Sequence, residues 1–115
     1  MEQLNRIQIR GVVGGVKTQI INDRLMAKFT VATNYAYKNK EGVPVIETTW
    51  HNVTAFESKN NNGLDKIAKG SRIDVIGRLQ IQKYEAADGM EKTFVDVLAS
   101  KVMLLPDTDS FQYEF

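Results

Sequence analysis

The chain has 115 residues, 43% of them hydrophobic and 25% charged, with no cysteine and a formal net charge of +1. This describes one ordinary globular domain, long enough to bury roughly two thirds of the surface that its unfolded form exposes. Disulfides, thiolate metal sites and cysteine nucleophiles are excluded. No apolar run approaches a membrane span and the opening Met-Glu-Gln-Leu-Asn-Arg does not read as a signal peptide, so a cytoplasmic location with no membrane partner is expected. The charge is unevenly spread. Asp107, Asp109 and Glu114 lie in a terminus without bases, leaving eleven acids against 15 Lys and Arg in the rest of the chain. A mildly basic body of this kind is compatible with a polyanionic partner.

Residues 4–21 read as strand. Ile7 and Ile9 alternate with Arg6, Gln8 and Arg10, and the alternation resumes after Gly14-Gly15 with Val16, Thr18 and Ile20. Glycines at 11, 14 and 15 point to a bulge or sharp bend, which a small closed barrel requires of its first strand. Asn22-Asp23 makes a turn. A second strand follows over 25–37, built on Met26, Phe29 and Val31. Strict alternation puts Tyr35 and Tyr37 on that same core-facing side unless the strand bulges or has left the barrel. Residues 38–42, Lys-Asn-Lys-Glu-Gly, are too polar to be buried and form a hairpin tip.

The third strand, 43–56, holds the only tryptophan, Trp50, and the only histidine, His51. Residues 47–56 are rich in β-branched and aromatic side chains and lack glycine and proline, so they read as an interior strand. Alternation puts Trp50, Asn52, Thr54 and Phe56 on one face and Thr49, His51, Val53 and Ala55 on the other. Two large rings beside Asn52 and Thr54 suit stacking against something planar, of which a nucleic-acid base is the commonest example. The competing reading makes both rings core, with polar neighbours at the margin.

A loop at 60–63 leads to a short helical pattern, Leu64, Ile67 and Ala68, stopped by Gly70. Residues 72–84 alternate cleanly. Ile73, Val75, Gly77, Leu79 and Ile81 face one way, while the opposite, mostly polar set ends in Tyr84. Ala87-Asp88-Gly89 closes a hairpin, the last strand runs over 93–105, and Pro106 ends it. Five strands with one short helix between the third and fourth match the order of the OB-fold, an all-β Greek-key barrel. This assigns residues 1–105 to the barrel domain and 106–115 to a short acidic and aromatic tail.

Asn5-Arg6-Ile7, Ala32-Thr33-Asn34 followed by Tyr37, Thr49-Trp50-His51 leading to Phe56, Lys69-Gly70-Ser71, and Gly77-Arg78-Leu79 leading to Lys83-Tyr84 occur in this order across residues 4–105. In that arrangement the chain resembles the bacterial single-stranded DNA-binding protein (SSB) family. The resemblance implies a homotetramer, with a homodimer as the alternative, that wraps single-stranded DNA with little sequence preference during replication, recombination and repair. It implies base stacking on Trp50, Phe56, Tyr37 and Tyr84. It assigns phosphate contacts to Arg6, Lys40, Lys69 and Lys83, together with Arg10, Lys38 and Arg78, and a subunit contact to His51. No metal or cofactor is implied. Asn52, Gln80 and Gln82 stand where the family often carries bases, and the family's long glycine- and glutamine-rich linker is missing. Fewer bases imply weaker, less salt-dependent binding.

Family tails end in an acidic run capped by phenylalanine that docks on partner enzymes. Here Asp107, Asp109, Phe111, Tyr113, Glu114 and Phe115 are expected to serve replication or repair proteins in that way. The alternative is an OB-fold adaptor of the replication-restart machinery with weak DNA affinity. An enzyme is disfavoured, because one histidine, no cysteine, no phosphate loop and no paired carboxylates leave little from which to build a site.

Overall fold

The computed structural model describes residues 1–59 and 61–106, so the six tail residues expected to dock partners lie outside the described residues. The strands are β1 (Ile7–Ile21), β2 (Arg24–Lys38), β3 (Pro44–Phe56), β4 (Arg72–Glu85) and β5 (Glu91–Leu105). They close into a barrel in the order β1-β2-β3-β5-β4. This is the all-β, five-stranded OB architecture expected from the order of elements.

β1 serves two neighbours. Residues 7–12 pair with β4, and from Val12 onward the strand pairs with β2, with a register shift between Val13 and Gly15. The extra residue, Gly14, supplies the bend anticipated from the glycine cluster. Asn22 and Asp23 take φ of 50° and 64°, the left-handed pair of a two-residue hairpin turn, which Asn and Asp tolerate best after glycine. The interior is filled by alternating side chains, among them Val13, Phe29, Val31, Val53, Ile73 and Val75, while Leu64 and Ile67 complete the cluster. Gly77 marks a close approach of β4 to β5. A Cβ there would overlap the carbonyl of Leu98, a backbone atom with no freedom to move aside.

Two expectations change in the folded chain, and one strand face is covered over only part of its length. β3 is interior only at Val53 and Thr54, which lie parallel to Val97 and Leu98; the rest of it pairs with β2 alone. Hydrophobic residues and the absence of breakers favour a strand without saying how many neighbours it has. The helix is a single 3₁₀ turn, Leu64–Lys66. Ile67 is already extended, and Gly70 belongs to a separate turn in which the Ser71 N–H donates to the Ala68 carbonyl. Finally, Leu79 and Ile81 are 42% and 61% exposed although Ile73, Val75 and Gly77 on the same face are buried. Past Gly77 the strand runs beyond the barrel as a hairpin arm with β5, where no described residue covers that face.

The same departure settles the place of Tyr35 and Tyr37. β2 and β3 also leave the barrel as an arm, paired out to Lys38 and Pro44. The two tyrosines keep the core-facing parity without entering the core.

The seam between β3 and β5 is reinforced by Asp96, which is 4% exposed. Its carboxylate accepts from the Thr54 hydroxyl at 3.0 Å and from the Gln80 amide at 3.1 Å. Thr54→Val keeps the shape but leaves one buried oxygen without its donor, and should lower unfolding stability by about 1–3 kcal/mol in urea titrations. An unchanged midpoint would show that the bond is replaced by water.

Candidate nucleic-acid interface

Outside the seam, β3 and β5 diverge, and the two hairpin arms open as a V. The exterior face continues across the seam, because Asn52 and Thr54 on β3 and Phe94 and Asp96 on β5 all have parity opposite to the inward Val53 and Val97. Trp50 shares this exterior face and is 58% exposed. Its ring is seated on Gly14, where a Cβ would overlap the six-membered part of the indole. The bulge therefore serves the site as well as the barrel, since a side chain at position 14 would lift the ring. The notch between the diverging strands has a volume of about 460 Å³ and is lined by Trp50, His51, Leu79 and Phe94, among others.

The remaining predicted aromatics are dispersed. Phe56 is half-buried, with the Arg24 guanidinium 5.4 Å from its ring centre. It stands six residues from Trp50, about 20 Å at the usual rise of ~3.3 Å per residue. Tyr84 is 50% exposed, near the tip of the β4–β5 arm and on the exterior parity. Tyr37 has the opposite parity from Trp50. Its ring stacks on Tyr35 at 6.0 Å, and its hydroxyl donates to Glu47 at 3.2 Å. That bond to a carboxylate favours the protonated phenol and raises the Tyr37 pKa above its ordinary value. Tyr35 and Phe94 were not singled out in the sequence as ligand-facing. Phe94 could have been, since it shares parity with Lys92 and Asp96 rather than with the core residue Val97.

The bases are spread in the same way. Lys38 and Lys40 are exposed around the tip of the β2–β3 arm, and Lys83 is exposed on the other arm, 3.8 Å from Glu91. An exposed pair at that distance neutralises little. Lys69 lies beside a polar hollow with Gly70, Ser71 and Arg72. Arg6 and Arg78 are exposed. Arg10 differs from expectation, because its Nε donates at 2.9 Å to the buried carboxylate of Asp74, to which Gln8 also donates. Its charge is in part already answered inside the chain. Gln80, noted as replacing a base, is committed to Asp96.

His51 is half-buried, with Nε2 at 2.8 Å from the Thr33 hydroxyl. Burial lowers its pKa below the ordinary 6.5. Folding thus favours the neutral ring. The associated stabilisation is complete above the unfolded pKa and is lost as pH falls from there through the depressed folded value. The thermal midpoint should therefore fall between about pH 7.5 and pH 5.5, and His51→Gln should flatten that slope. A wild-type profile as flat as the variant's would mean that the imidazole is freely solvated.

Comparisons with known proteins agree with this geometry. A model of the single-strand binding protein family matches residues 4–105. The single-stranded DNA-binding protein of Neisseria meningitidis serogroup A is 31% identical over 84 residues, covering 73% of this chain and 48% of its own length. The mitochondrial single-stranded DNA-binding protein of Danio rerio is 28% identical over 115 residues, covering 92% of this chain and 79% of its own. The chain spans about half the length of the bacterial relatives it matches. Among solved structures, the Plasmodium falciparum SSB in complex with ssDNA superposes with a TM-score of 0.79 at 26% identity, over 92% of this chain and 98% of that one.

Proposed function

The chain belongs to the single-strand binding protein family, and on that premise we propose that it binds single-stranded DNA with little sequence preference. Bases stack on aromatic rings, and exposed Lys and Arg neutralise phosphates. The observation that carries the proposal is Trp50, a ring more than half exposed on the barrel exterior and packed against Gly14. An apolar ring kept at the surface in a preformed seat is suited to a base, and stacking of this kind contributes ~1–3 kcal/mol per base whatever the base. Tyr84 shares the exterior parity and extends the surface along one arm. Phe56 and Tyr37 serve as outlying platforms at the far end of β3 and on the inner side of the other arm.

Phosphates are met by Lys38, Lys40, Lys69, Lys83, Arg6 and Arg78, with a smaller part for Arg10 because Asp74 holds it. Scattered bases fit a strand that wraps rather than a ligand in a pocket. The protein carries out no reaction in this reading; it protects single strands during replication, recombination and repair.

Trp50 is the only tryptophan, so intrinsic fluorescence reports on it directly. Titration with oligo-dT should quench it to saturation, and Trp50→Ala should weaken binding more than tenfold with an unchanged circular dichroism spectrum. No quenching at any oligonucleotide concentration would overturn the reading.

Assembly and docking complete the proposal. Leu79, Ile81 and Val95 expose an apolar strip on the β4–β5 arm, of the sort that marks contact between copies, and a homotetramer accounts for it. His51 is the candidate subunit contact beside it, since it and Leu79 line the same notch. Residues 107–115 dock replication or repair proteins through Asp107, Asp109, Glu114 and the rings of Phe111, Tyr113 and Phe115. Light scattering should report four copies for the full chain and for a chain cut after Pro106. The cut chain should bind oligo-dT equally well or slightly more tightly and lose its protein partners. A monomer at micromolar concentration, or a clear loss of DNA affinity on truncation, would count against these two assignments in turn.

A further inference from the structure

The exterior of β1–β2–β3 carries a hollow of about 420 Å³ that is lined by none of the residues to which base stacking or phosphate contact was assigned above. Lys17 and Lys28 stand at it directly opposite one another across the β1–β2 ladder. Like charges in that position repel and destabilise a sheet. Both are exposed, and neither has an acidic partner among the described residues. Their neighbours on the same face, Gly15, Gln19, Met26, Thr30 and Thr54, offer no carboxylate. Asp96, beyond Thr54, is buried with both oxygens already accepting hydrogen bonds. An anion placed between the two ammonium groups would convert the repulsion into attraction.

The far wall of the hollow is Phe94, 39% exposed and stacked on no other ring among the described residues. Phe94 and Asn52 also line the notch that holds Trp50. The notch and the hollow thus adjoin at Asn52 and Phe94, with the seated indole in one and two unpaired ammonium groups at the other. With Phe94 as its exposed ring and Phe29 buried at its base, the hollow has the elements that single-strand sites combine, an aromatic platform beside basic side chains.

From this arrangement we infer that the hollow is a further nucleotide subsite of the DNA path. The base next along from Trp50 stacks on Phe94, and the adjoining backbone phosphates lie between Lys17 and Lys28. The inference rests on the DNA-binding reading proposed above and adds three residues to it. It also gives the chain a compensation for the uncharged Asn52, since the phosphate charge is met on β1 and β2 instead.

The test uses the full chain with oligo-dT, comparing wild type, Phe94→Ala, Phe94→Trp and the double variant Lys17→Gln/Lys28→Gln over a range of salt concentrations. Phe94→Ala should weaken binding roughly five- to hundredfold, the range expected for loss of one stacked base. Phe94→Trp should retain wild-type affinity, which a change acting only through stability would not explain. The double variant should flatten the slope of log K against log salt by about 0.7 to 1.4, the release expected from one or two phosphate contacts on a single strand. Wild-type affinity and slope in both the alanine and glutamine variants, with Trp50→Ala still impaired, would overturn the subsite and leave DNA binding standing. Failure of the wild type to bind would remove both. A changed oligomeric mass with unaltered affinity would make the hollow a contact between copies, and would overturn the inference as well.

Discussion

Two residues of β3 lie beside two of β5, Val53 and Thr54 against Val97 and Leu98, and the rest of the architecture depends on that seam. It is the sole parallel pairing among the described residues. Every other contact between strands is antiparallel and would form as readily in an open, twisted sheet. The seam closes that sheet into a barrel, and so removes water from both sides of Val53 and Val97. Its hydrogen-bonded core is unusual, because a buried carboxylate costs stability unless its oxygens are satisfied. Asp96 meets the condition with Thr54 on β3 and Gln80 on β4, tying three strands together at the point of closure.

The shortness of the seam has equal consequence. With only two residue pairs engaged, β3 and β5 part company, and each continues with its own antiparallel partner as a free-standing arm. One strand register then supplies three different surfaces. Inward positions near the seam form the core. The same parity further out exposes Leu79, Ile81 and Val95 on one arm and Tyr35, with Tyr37 half-buried beside it, on the other. Outward positions cross the seam without interruption, from Trp50 and Asn52 to Phe94, and so present rings to solvent on a rigid sheet instead of on loops. Rigidity lowers the ordering cost of capturing a flexible polymer.

Electrostatics play a supporting part. The chain has nearly as many acids as bases, and some bases are engaged internally, Arg10 with Asp74 most directly. What remains is a thin scatter of ammonium and guanidinium groups over a surface whose most distinctive features are exposed rings. In the proposed function, stacking therefore carries more of the affinity than counterion release does, and a shallow salt dependence is expected.

Much of the fold was legible in the sequence, because strand alternation, turn chemistry and glycine bends are local. The five strands, the Asn22-Asp23 turn, the break at Gly14-Gly15 and the stop at Pro106 all follow from neighbouring residues. Alternation also puts Tyr84 on the polar face of its strand and Trp50 on the face opposite Val53, but it leaves open whether the Trp50 face is core. Alternation states which side a residue faces, however, and not whether anything covers that side. Leu79 and Ile81 therefore share a face with Ile73 and Val75 without sharing their burial, and residues 47–56 read as interior although most of β3 borders only β2. Partnerships between distant residues were beyond reach for the same reason. Arg10 with Asp74 and Trp50 on Gly14 follow from which strands lie side by side, and Asp96 with Thr54 and the hollow shared by Phe94, Lys17 and Lys28 follow from closure. The local pattern by itself determined a set of amphipathic strands and which rings could point outward. Strand pairing decided which charges would be spent inside the chain, and the barrel seam decided which apolar faces would be buried and which rings would share one surface, because these contacts join residues far apart in sequence.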